Sequence, residues 1–411
     1  MRRRVVITGM GTVNPLAKNV KDTWDAIKAG ECGIAPTTLT DVTNYPSKVA
    51  AEVKDWRASD FIDKRAARQM ARFTQFACVA ANEAMEDAGL TKEGAFDPYR
   101  AGVILGNGIG GFEIIEEGYK QIFSGKNCAP MTIPKLILNE GPANVAIMHG
   151  IKGPVHAVVT ACAAGTDAIG NALMSIRSGQ TDMVITGGME APISLLAIDG
   201  FCKIQALTTN PDPKTACRPF DKDRDGFILG EGAGILILEE LEHAKARGAK
   251  IYAELVGYGQ TCDADHITAP SETGEGGARS MIVALKDAGM EPEDIQYINA
   301  HGTSTPKNDP IETMAIKTAF GEHAYKLKVS STKGMTGHCV GAAGGIEAII
   351  TILAINHNYY PPTIGLETED DACDLDYVKG KGVEGEIKAA LSDSLGFGGH
   401  NGSLIFKQYE D

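Results

Sequence analysis

The chain has 411 residues, and 43% of them are hydrophobic, which is enough apolar material to bury a core and excludes an intrinsically disordered protein. Asp and Glu outnumber Lys and Arg by 53 to 39, and the net charge of −14 opposes general binding to nucleic acid or to anionic membranes. By length alone, we expect about two or three domain-sized units.

Short runs of β-branched residues alternate with helical segments along the first half of the chain, which is typical of an α/β fold. They predict buried strands at residues 4–7, 102–105, 155–159, 183–186 and 234–238. Between the first two strands, Lys64, Arg68 and Arg72 are spaced to share one helix face, and Arg65 lies beside them. An acidic partner could bind this basic surface, although a solvated face would explain it as well.

The stretch Gly106-Asn107-Gly108-Ile109-Gly110-Gly111 follows the second predicted strand and fits the G-x-G-x-x-G pattern of dinucleotide-binding loops. That pattern also needs an acidic residue at the end of a second strand, where it binds the ribose. No acidic residue stands at the expected place, so the sequence does not favour a dinucleotide site.

Cys162 is the main candidate for a chemical role in the first half. The predicted strand at 155–159 runs into Ala and Gly residues on both sides of Cys162 (161–165), and then into a helical pattern. This layout predicts a tight strand-to-helix turn with an accessible sulfur, and the N–H groups at the helix start are expected to stabilise a thiolate. The alternative is a buried structural cysteine, the usual setting of a free cysteine.

The second half of the chain repeats the same alternation. A helix that closes near residue 249, followed by a strand at 251–258, predicts one half at residues 1–250 and the other at 251–411. Further strands are predicted at residues 295–300, 328–331, 389–392 and 402–406, and a long apolar helix at 344–355.

Two histidines of the second half lie in predicted loops. His301 follows the strand at 295–300, and His338 follows the strand at 328–331, each beside a glycine. A thiol nucleophile needs such partners, although each histidine could instead be structural. The Gly-rich segment 396–402 could bring backbone N–H groups to a reacting carbonyl, or could be a plain hairpin turn.

The nine cysteines include no CxxC pair and show no metal-ligand spacing, so we predict neither a disulfide framework nor a metal site. A reducing, cytoplasmic location fits this pattern best. The apolar run Val5-Val6-Ile7 is too short for a signal peptide. No run approaches the ~20 apolar residues that span a bilayer, so no membrane segment is predicted.

Five motifs occur in order along the chain: the Cys162 turn, Arg218-Pro219-Phe220-Asp221, His301-Gly302-Thr303-Ser304-Thr305, the segment from Lys333 to His338, and Gly396-Phe397-Gly398-Gly399. Each motif alone is unspecific. Together they resemble the β-ketoacyl-acyl carrier protein synthases of the thiolase superfamily, and the resemblance covers nearly the whole chain.

The resemblance implies a five-layered αβαβα sandwich made of two related halves. It also implies a reaction in which an acyl group passes from acyl carrier protein to the cysteine and is then attacked by the enolate of a decarboxylated malonyl-carrier protein. No cofactor is required, and the implied partners are acyl carrier protein and a second copy of the chain. The Cys-His-His set separates this chain from initiating Cys-His-Asn enzymes and from thiolases, which need a second cysteine where this chain has Gly-Phe-Gly-Gly.

The resemblance assigns the catalytic chemistry to Cys162, His301, His338, Lys333, Glu347 and Phe397. The cysteine is the nucleophile, and the two histidines hydrogen-bond the malonyl thioester oxygen. The N–H groups of the cysteine and the phenylalanine form the oxyanion hole for the acyl thioester. The lysine and the glutamate form a charged pair that supports His338.

The resemblance also assigns substrate contacts. Thr303 and Thr305 hold the phosphopantetheine arm, Ile109 and Phe201 line the acyl pocket, and Gly398 belongs to the loop that meets the substrate. Ile109 contacts the gate residue Phe397 in this interpretation. An isoleucine there resembles type II rather than type I synthases.

Carrier-protein docking is assigned to Lys64, Arg68 and Lys203. Relatives often carry basic residues where this chain has Gln69 and Gln205. The docking surface is therefore expected to use Lys64, Arg68 and Lys203 instead.

A structural monovalent cation is implied near Asn299, Glu347, Ser392 and Asp393. Asp393 stands where many relatives have asparagine, and the additional carboxylate would strengthen such a site. An ordinary hydrogen-bond network is the alternative. His400 replaces a common threonine and receives no role.

Two other functions share part of this pattern. A ketosynthase of a type II polyketide or other secondary-metabolite pathway would carry the same catalytic set. A non-catalytic chain-length partner of a polyketide synthase would generally lack the active cysteine, so Cys162 argues against it. Preferred acyl chain length and pathway stay open.

Overall fold

The structure is a computed structural model and describes residues 2–410, in which all predicted strands and the predicted long helix form. The strands are β1 (Val5–Val13), β2 (Ala35–Pro36), β3 (Val49–Ala50), β4 (Ala101–Gly106), β5 (Val155–Val158), β6 (Met183–Glu190), β7 (Gly232–Glu240), β8 (Ala253–Cys262), β9 (Tyr297–Asn299), β10 (Lys328–Ser330), β11 (Tyr359–Tyr360), β12 (Val383–Glu384), β13 (Ala389–Gly396) and β14 (His400–Lys407).

The α-helices are α1 (Val20–Ala29), α2 (Lys64–Arg68), α3 (Arg72–Asp87), α4 (Phe112–Phe123), α5 (Thr132–Leu136), α6 (Glu140–His149), α7 (Ala164–Arg177), α8 (Leu195–Lys203), α9 (Leu241–Ala246), α10 (Glu275–Ala288), α11 (Asn308–Phe320), α12 (Lys333–Thr336) and α13 (Ala343–His357). Short 3-10 turns occur at Ala58–Asp60, Ala161–Ala163, Pro292–Asp294, Gly321–Lys326 and Val340–Ala342.

The ten strands of the large sheet form two sets with the same topology. The first set has the order β5-β4-β6-β7-β1 and the second has the order β10-β9-β13-β14-β8. In each set the first three strands are parallel, and the last two add antiparallel neighbours. The sets join where β1 pairs with β8, and the proposed boundary at residue 250 lies between α9 and β8. The two halves are therefore related units.

Helices separate and cover the two strand sets. The central layer is α7 and α13, which contact strands of both sets, while α3 and α6 pack on the first set and α10 packs with α11 on the second. These are the five αβαβα layers that the resemblance implied. The apolar residues of α13 are buried from Ala343 to Ile355, because the helix lies inside the sandwich.

Residues Val340–His357 form a segment long and apolar enough to cross a membrane by length and composition, contrary to the sequence expectation. However, 89% of this segment is buried inside the protein. Its hydrophobicity is thus explained by its place in the central layer.

Glycines at the centre of the molecule let the backbones of four segments meet. An ideal Cβ on Gly165 would lie 2.8 Å from the carbonyl oxygen of Gly341, and one on Gly188 would lie 2.2 Å from the same oxygen. A Cβ on Gly345 would lie 2.2 Å from the carbonyl oxygen of Gly234. Only glycine permits this approach, which brings the turn before α7 close to the turn before α13.

The predicted basic helix face is not formed. Helix α2 ends at Arg68 and a new helix begins at Arg72, so Lys64, Arg68 and Arg72 do not share one helix face. The Arg72 guanidinium donates hydrogen bonds to the buried carboxylate of Glu231 at 2.5 and 2.7 Å. Lys64 and Arg65 remain exposed with Arg68.

One predicted strand is less buried than expected. Residues 155 and 156 of β5 are exposed, because β5 lies at the end of its set and has a strand on one side only. The same exposure continues to Val159, which is 54% exposed.

Candidate active site

Cys162 lies in the 3-10 turn Ala161–Ala163 between β5 and α7, as predicted. The turn is closed by a hydrogen bond from the N–H of Ala163 to the carbonyl oxygen of Thr160 (3.0 Å). Ala161 has a φ of 50°, a conformation that is unfavourable for a residue with a Cβ. The strained residue therefore precedes the cysteine, and the Cys162 side chain is half-buried rather than sealed in the core.

An apolar cluster lies beside the sulfur. Cys162, Ile109 and Phe201 all pack against the buried side chains of Ile193, Ala197, Ile198, Leu207, Phe227, Leu229 and Val340. The ring of Phe201 lies 6.2 Å from that of Phe397 and 5.4 Å from that of Phe227. These residues provide an apolar wall that suits an alkyl chain.

The two histidines meet the cysteine. The Sγ of Cys162 and one ring nitrogen from each of His301 and His338 lie within 4.8 Å of one another. The two imidazole rings are 5.2 Å apart at 87°, and each side chain is almost fully buried. A thiophilic metal ion such as zinc could use the same three atoms, and would then occupy the sulfur.

Burial and the charge of Lys333 keep both imidazoles neutral. Burial, the largest cause, and the Lys333 ammonium lower the pKa of His301 and of His338 well below 6.5. A neutral imidazole carries one N–H donor, so each ring can donate one hydrogen bond to a developing negative charge.

The cysteine is also neutral at rest, which corrects the predicted thiolate. Burial raises the pKa of the Cys162 thiol to about 12. The Lys333 charge and hydrogen bonds from the backbone N–H groups of Phe397 and Cys162 lower the pKa, but by less. The helix start thus favours the thiolate as predicted, and desolvation outweighs it.

The backbone N–H groups of Cys162 and Phe397 both face the sulfur. This position follows from close packing of the β13 end on the turn, since an ideal Cβ on Gly396 would lie 3.3 Å from the nitrogen of Cys162. The N–H of Gly398 is instead donated to the carbonyl oxygen of Ile267 (2.7 Å). Of the two loop residues, Phe397 is therefore the one that offers a donor at the sulfur.

Lys333 and Glu347 form the predicted charged pair. The Nζ of Lys333 donates to Oε1 of Glu347, and both side chains are buried, one at the start of α12 and the other in the first half of α13. Loss of one partner would leave a buried charge unpaired, at a cost of about 3–5 kcal/mol. The Lys333 charge also lowers the pKa of Cys162, His301 and His338, so one ammonium group influences the protonation of all three side chains.

Thr303 and Thr305 lie together in the loop after His301. Their hydroxyl oxygens are 3.0 Å apart, and the Thr305 oxygen accepts a hydrogen bond from the N–H of Asn308 (3.2 Å). Lys64 and Arg68 on α2 and Lys203 at the end of α8 are exposed. The predicted substrate and docking residues are thus accessible, except for the largely buried Thr303.

Sequence reasoning missed two buried glutamates. Glu312 on α11 accepts hydrogen bonds from the backbone N–H of His301 (2.6 Å) and of Gly302 (2.8 Å), and so fixes the loop that carries the first histidine. Glu190 accepts hydrogen bonds from Gly108 and Ile109 in the G-x-G-x-x-G loop. A phosphate would need these N–H groups, which is a further reason against a dinucleotide site.

Comparison with known proteins identifies relatives over the whole chain. The β-ketoacyl synthase N-terminal domain matches residues 2–244, and the β-ketoacyl synthase C-terminal domain matches residues 252–367. A 3-oxoacyl-[acyl-carrier-protein] synthase 2 of Staphylococcus aureus (strain COL) is 52% identical in an alignment 411 positions long, which covers 99% of each protein.

Two solved structures share the fold over full length. The ishigamide ketosynthase/chain length factor has a TM-score of 0.94 and is 37% identical, with 100% of each chain covered. A type II polyketide synthase acyl-carrier protein in complex with its ketosynthase has a TM-score of 0.91 and is 36% identical, again with 100% of each chain covered.

Proposed function

The chain belongs to the β-ketoacyl synthase family, a family of condensing acyltransferases, and from that premise we propose that it is a 3-oxoacyl-[acyl-carrier-protein] synthase of fatty acid elongation. The observation that carries the proposal is the position of the Cys162 sulfur within 4.8 Å of ring nitrogens from two buried histidines. The apolar cluster beside the sulfur supports an acyl substrate.

In the first step, the Cys162 sulfur attacks the thioester carbon of acyl-carrier protein. The carbonyl oxygen becomes negative and accepts hydrogen bonds from the N–H groups of Cys162 and Phe397, which are fixed before the reaction starts. Because the resting thiol is neutral, its proton must leave as the sulfur–carbon bond forms, and it passes in net terms to the departing carrier-protein thiolate. The net reaction of this step exchanges the carrier-protein thioester for a thioester on Cys162.

In the second step, malonyl-carrier protein loses carbon dioxide and leaves an enolate thioester. The N–H groups of His301 and His338 hydrogen-bond the enolate oxygen, and because both rings are neutral they donate without holding an additional proton. The enolate carbon then attacks the acyl thioester on Cys162. Collapse of that adduct releases the β-ketoacyl-carrier protein and the Cys162 thiolate, which takes up one proton.

The direct test follows the acyl group. Purified protein is incubated with acyl-carrier protein, its intact mass and peptide masses are measured, and malonyl-carrier protein is then added. The proposal requires one acyl adduct on Cys162, followed by a product longer by two carbons. Protein that stays unlabelled at saturating donor would contradict it.

A type II polyketide ketosynthase is the second candidate, because one of the similar solved structures is a type II polyketide synthase acyl-carrier protein in complex with its ketosynthase. The 52% identity to the 3-oxoacyl-[acyl-carrier-protein] synthase 2 of Staphylococcus aureus exceeds the 37% identity to the ishigamide ketosynthase/chain length factor, which favours fatty acid elongation. Product analysis separates the two, since repeated condensation without reduction would give a poly-β-ketone.

The neutral imidazoles give a pH prediction. Their pKa values lie below 6.5, so the neutral, working form is fully present at and above neutral pH and is lost only as pH falls through these lowered pKa values. We therefore expect malonyl decarboxylation to stay constant as pH falls from 8 to 6.5. Carbon dioxide release by the isolated enzyme measures this, and a midpoint at or above pH 6.5 would contradict it.

We propose that acyl carrier protein docks on Lys64, Arg68 and Lys203. All three are exposed, and within residues 2–410 none of them takes part in an ion pair within the chain. Their charges are therefore free to meet an acidic partner, which the net charge of −14 would otherwise repel.

Reversing these charges should weaken docking. The variant Lys64→Glu/Arg68→Glu is expected to raise KM for acyl-carrier protein about tenfold with a smaller change in kcat, because rim charges act mainly on encounter. The effect should shrink as salt is added. Lys126→Glu/Lys381→Glu, which reverses two exposed lysines of other loops, is the matched control, and equal losses in the two variants would contradict this docking surface.

We propose that the enzyme is a homodimer. Strand β5 ends its set, and Val155 in this strand and Val159 directly after it are exposed. Exposed apolar side chains at an edge strand are normally covered by protein. A second copy can cover both edges at once through a twofold axis. Light scattering at working concentration should give twice the chain mass of 43.4 kDa.

We also propose a cytoplasmic location, because all nine cysteines, which lie within residues 2–410, are free thiols.

The residues implied to hold a cation carry buried oxygen atoms without a partner. Asn299 Oδ1, Glu347 Oε2, Ser392 Oγ and both carboxylate oxygens of Asp393 make no hydrogen bond to the described residues. Asn299 and Ser392 are register partners on β9 and β13, and Asn299 donates to the Glu347 carbonyl oxygen (3.4 Å). An oxygen-only set with two carboxyl groups suits a hard cation, so we propose that these residues hold a structural monovalent ion.

Cation binding should appear as thermal stabilisation. Potassium or sodium is expected to raise the melting temperature above that in tetramethylammonium chloride of equal ionic strength, since only the small ion can enter the site. Asp393→Asn should reduce this difference by removing one carboxylate oxygen. Elemental analysis of dialysed protein gives an independent count, and a melting temperature independent of the cation in both proteins would contradict the site.

A further inference from the structure

Glu190 is a buried acidic residue that the reaction described above does not use. It is the last residue of β6 and its side chain is 0% exposed. Its Oε2 atom accepts hydrogen bonds from the backbone N–H groups of Gly108 (2.6 Å) and Gly341 (3.0 Å), and Oε1 accepts a longer one from Ile109 (3.4 Å). One carboxyl group thus binds two segments that are far apart in sequence.

Both glycines lie too close to this carboxyl group, and to the other segment, to carry a Cβ: one on Gly341 would lie 2.4 Å from the nitrogen of Gly108, and one on Gly108 would lie 2.6 Å from Cγ1 of Val340. An ideal Cβ on Gly108 would lie 2.7 Å from Oε2 of Glu190, and one on Gly341 would lie 2.8 Å from the same atom. Neither distance is possible for a real Cβ. The backbone of each segment therefore comes as close to Glu190 as glycine permits.

Both segments contribute to the apolar cluster beside Cys162. Residue 109 follows Gly108 and contributes its side chain to the apolar cluster beside Cys162. Val340 precedes Gly341, belongs to the same cluster, and follows His338 by two positions. Val340 also has a φ of 45°, so the turn after His338 is strained and needs external contacts to keep its shape.

We propose that Glu190 is a positioning residue that fixes the distance between the Ile109 loop and the turn after His338, and thereby determines which acyl chains Cys162 accepts. The inference rests on the proposed function. A long acyl chain would extend along the apolar cluster that contains Ile109 and Val340, whereas a short chain ends near the sulfur. Loss of the carboxyl group is therefore expected to affect long chains more than short ones.

The loop should shift rather than unfold when Glu190 is changed. The buried Asn107 anchors it independently, because its Nδ2 donates to the carbonyl oxygen of Met189 (3.0 Å) and its Oδ1 accepts from the N–H of Gly110 (2.7 Å). A selective effect on chain length can therefore be separated from loss of folding.

The geometry distinguishes two substitutions. Both short hydrogen bonds go to one oxygen, so Glu190→Gln can keep them with its amide oxygen. Glu190→Met has a similar shape and no oxygen acceptor, so it loses both. Glu83→Met is the matched control, because Glu83 also accepts two backbone N–H groups, those of Thr12 (2.9 Å) and Val20 (2.8 Å), outside the two segments.

The test measures acylation of Cys162 by intact mass with four-carbon and twelve-carbon acyl-carrier proteins, beside the melting temperature of each variant. We expect Glu190→Met to lower the ratio of the twelve-carbon to the four-carbon rate about tenfold, and Glu190→Gln and Glu83→Met to keep the ratio of the unchanged enzyme. An unchanged ratio in Glu190→Met, or an equal defect in Glu190→Gln, would overturn the proposal.

Two outcomes need separate interpretation. If Glu190→Met does not fold, Glu190→Asp replaces it, since a side chain shorter by one methylene cannot reach both glycines and should lower the same ratio; an unchanged ratio there overturns the proposal. If the unchanged enzyme takes up no acyl group from either donor, the proposed function fails, and that failure is visible without any variant.

Discussion

Cys162→Ala should abolish acyl transfer and condensation, while decarboxylation of malonyl-carrier protein remains measurable. The Cys162 sulfur lies within 4.8 Å of a ring nitrogen of each histidine, where a nucleophile is needed. Alanine keeps the backbone N–H of residue 162, and His301 and His338 are untouched, so the groups that stabilise the enolate remain. The condensation rate is expected to fall by about 10⁶-fold, the cost of removing the catalytic serine of a serine protease.

Two measurements check this result. Intact mass spectrometry with acyl-carrier protein should show no adduct on Cys162→Ala, and release of labelled carbon dioxide should continue. Cys262→Ala is the control, because Cys262 is an exposed thiol that could be labelled without catalysis. A stoichiometric adduct on Cys162→Ala, or its loss from Cys262→Ala, would place the nucleophile elsewhere.

The sequence predicted where the strands lie better than how long they are. β-Branched residues located β1 at residues 4–7, but the strand continues through Gly9 and Gly11 to Val13. Those glycines belong to the strand because α3 packs directly on it: an ideal Cβ on Gly9 would lie 2.2 Å from the carbonyl oxygen of Ala84. Propensity cannot show this, since the cause is the packing of a helix that begins only at Arg72.

The candidate site and the Lys333–Glu347 pair were predicted through the motifs and the resemblance, and two further supporting groups, Glu312 and Glu190, were not. Cys162 and the two histidines stand in recognisable turns, and the structure brings them together. Glu312 and Glu190 act through backbone N–H groups, which leave no side-chain pattern in the sequence. Their partners can be identified only after the two halves are packed.

The protonation state of Cys162 also could not be predicted from the sequence, because it depends on burial. A helix start after a cysteine predicts a thiolate, and the structure contains those N–H groups. The sequence does not show how much apolar surface surrounds the sulfur, and that desolvation is the larger effect. Lys333 partly offsets it for Cys162 and reinforces it for both histidines, because a nearby cation favours thiolate and neutral imidazole alike.

The two steps of the reaction use different hydrogen-bond donors, and His338→Ala can test this division of roles. The His338 ring donates to the malonyl enolate oxygen, whereas acylation of Cys162 uses the N–H groups of Cys162 and Phe397. We therefore expect decarboxylation to fall about 10²–10³-fold, the usual cost of one lost oxyanion donor. Acylation should change by less than about threefold, because no hydrogen bond of that step is removed.

His338→Asn separates the lost donor from the cavity left by the ring. The asparagine amide retains an N–H donor, so this variant should decarboxylate malonyl-carrier protein faster than His338→Ala, although both lose the ring contact with Phe227. Acylation is followed by intact mass and decarboxylation by labelled carbon dioxide, on the same preparations. Equal losses in the two steps would contradict the division of roles, since a donor that serves only the enolate cannot slow transfer of the acyl group to sulfur.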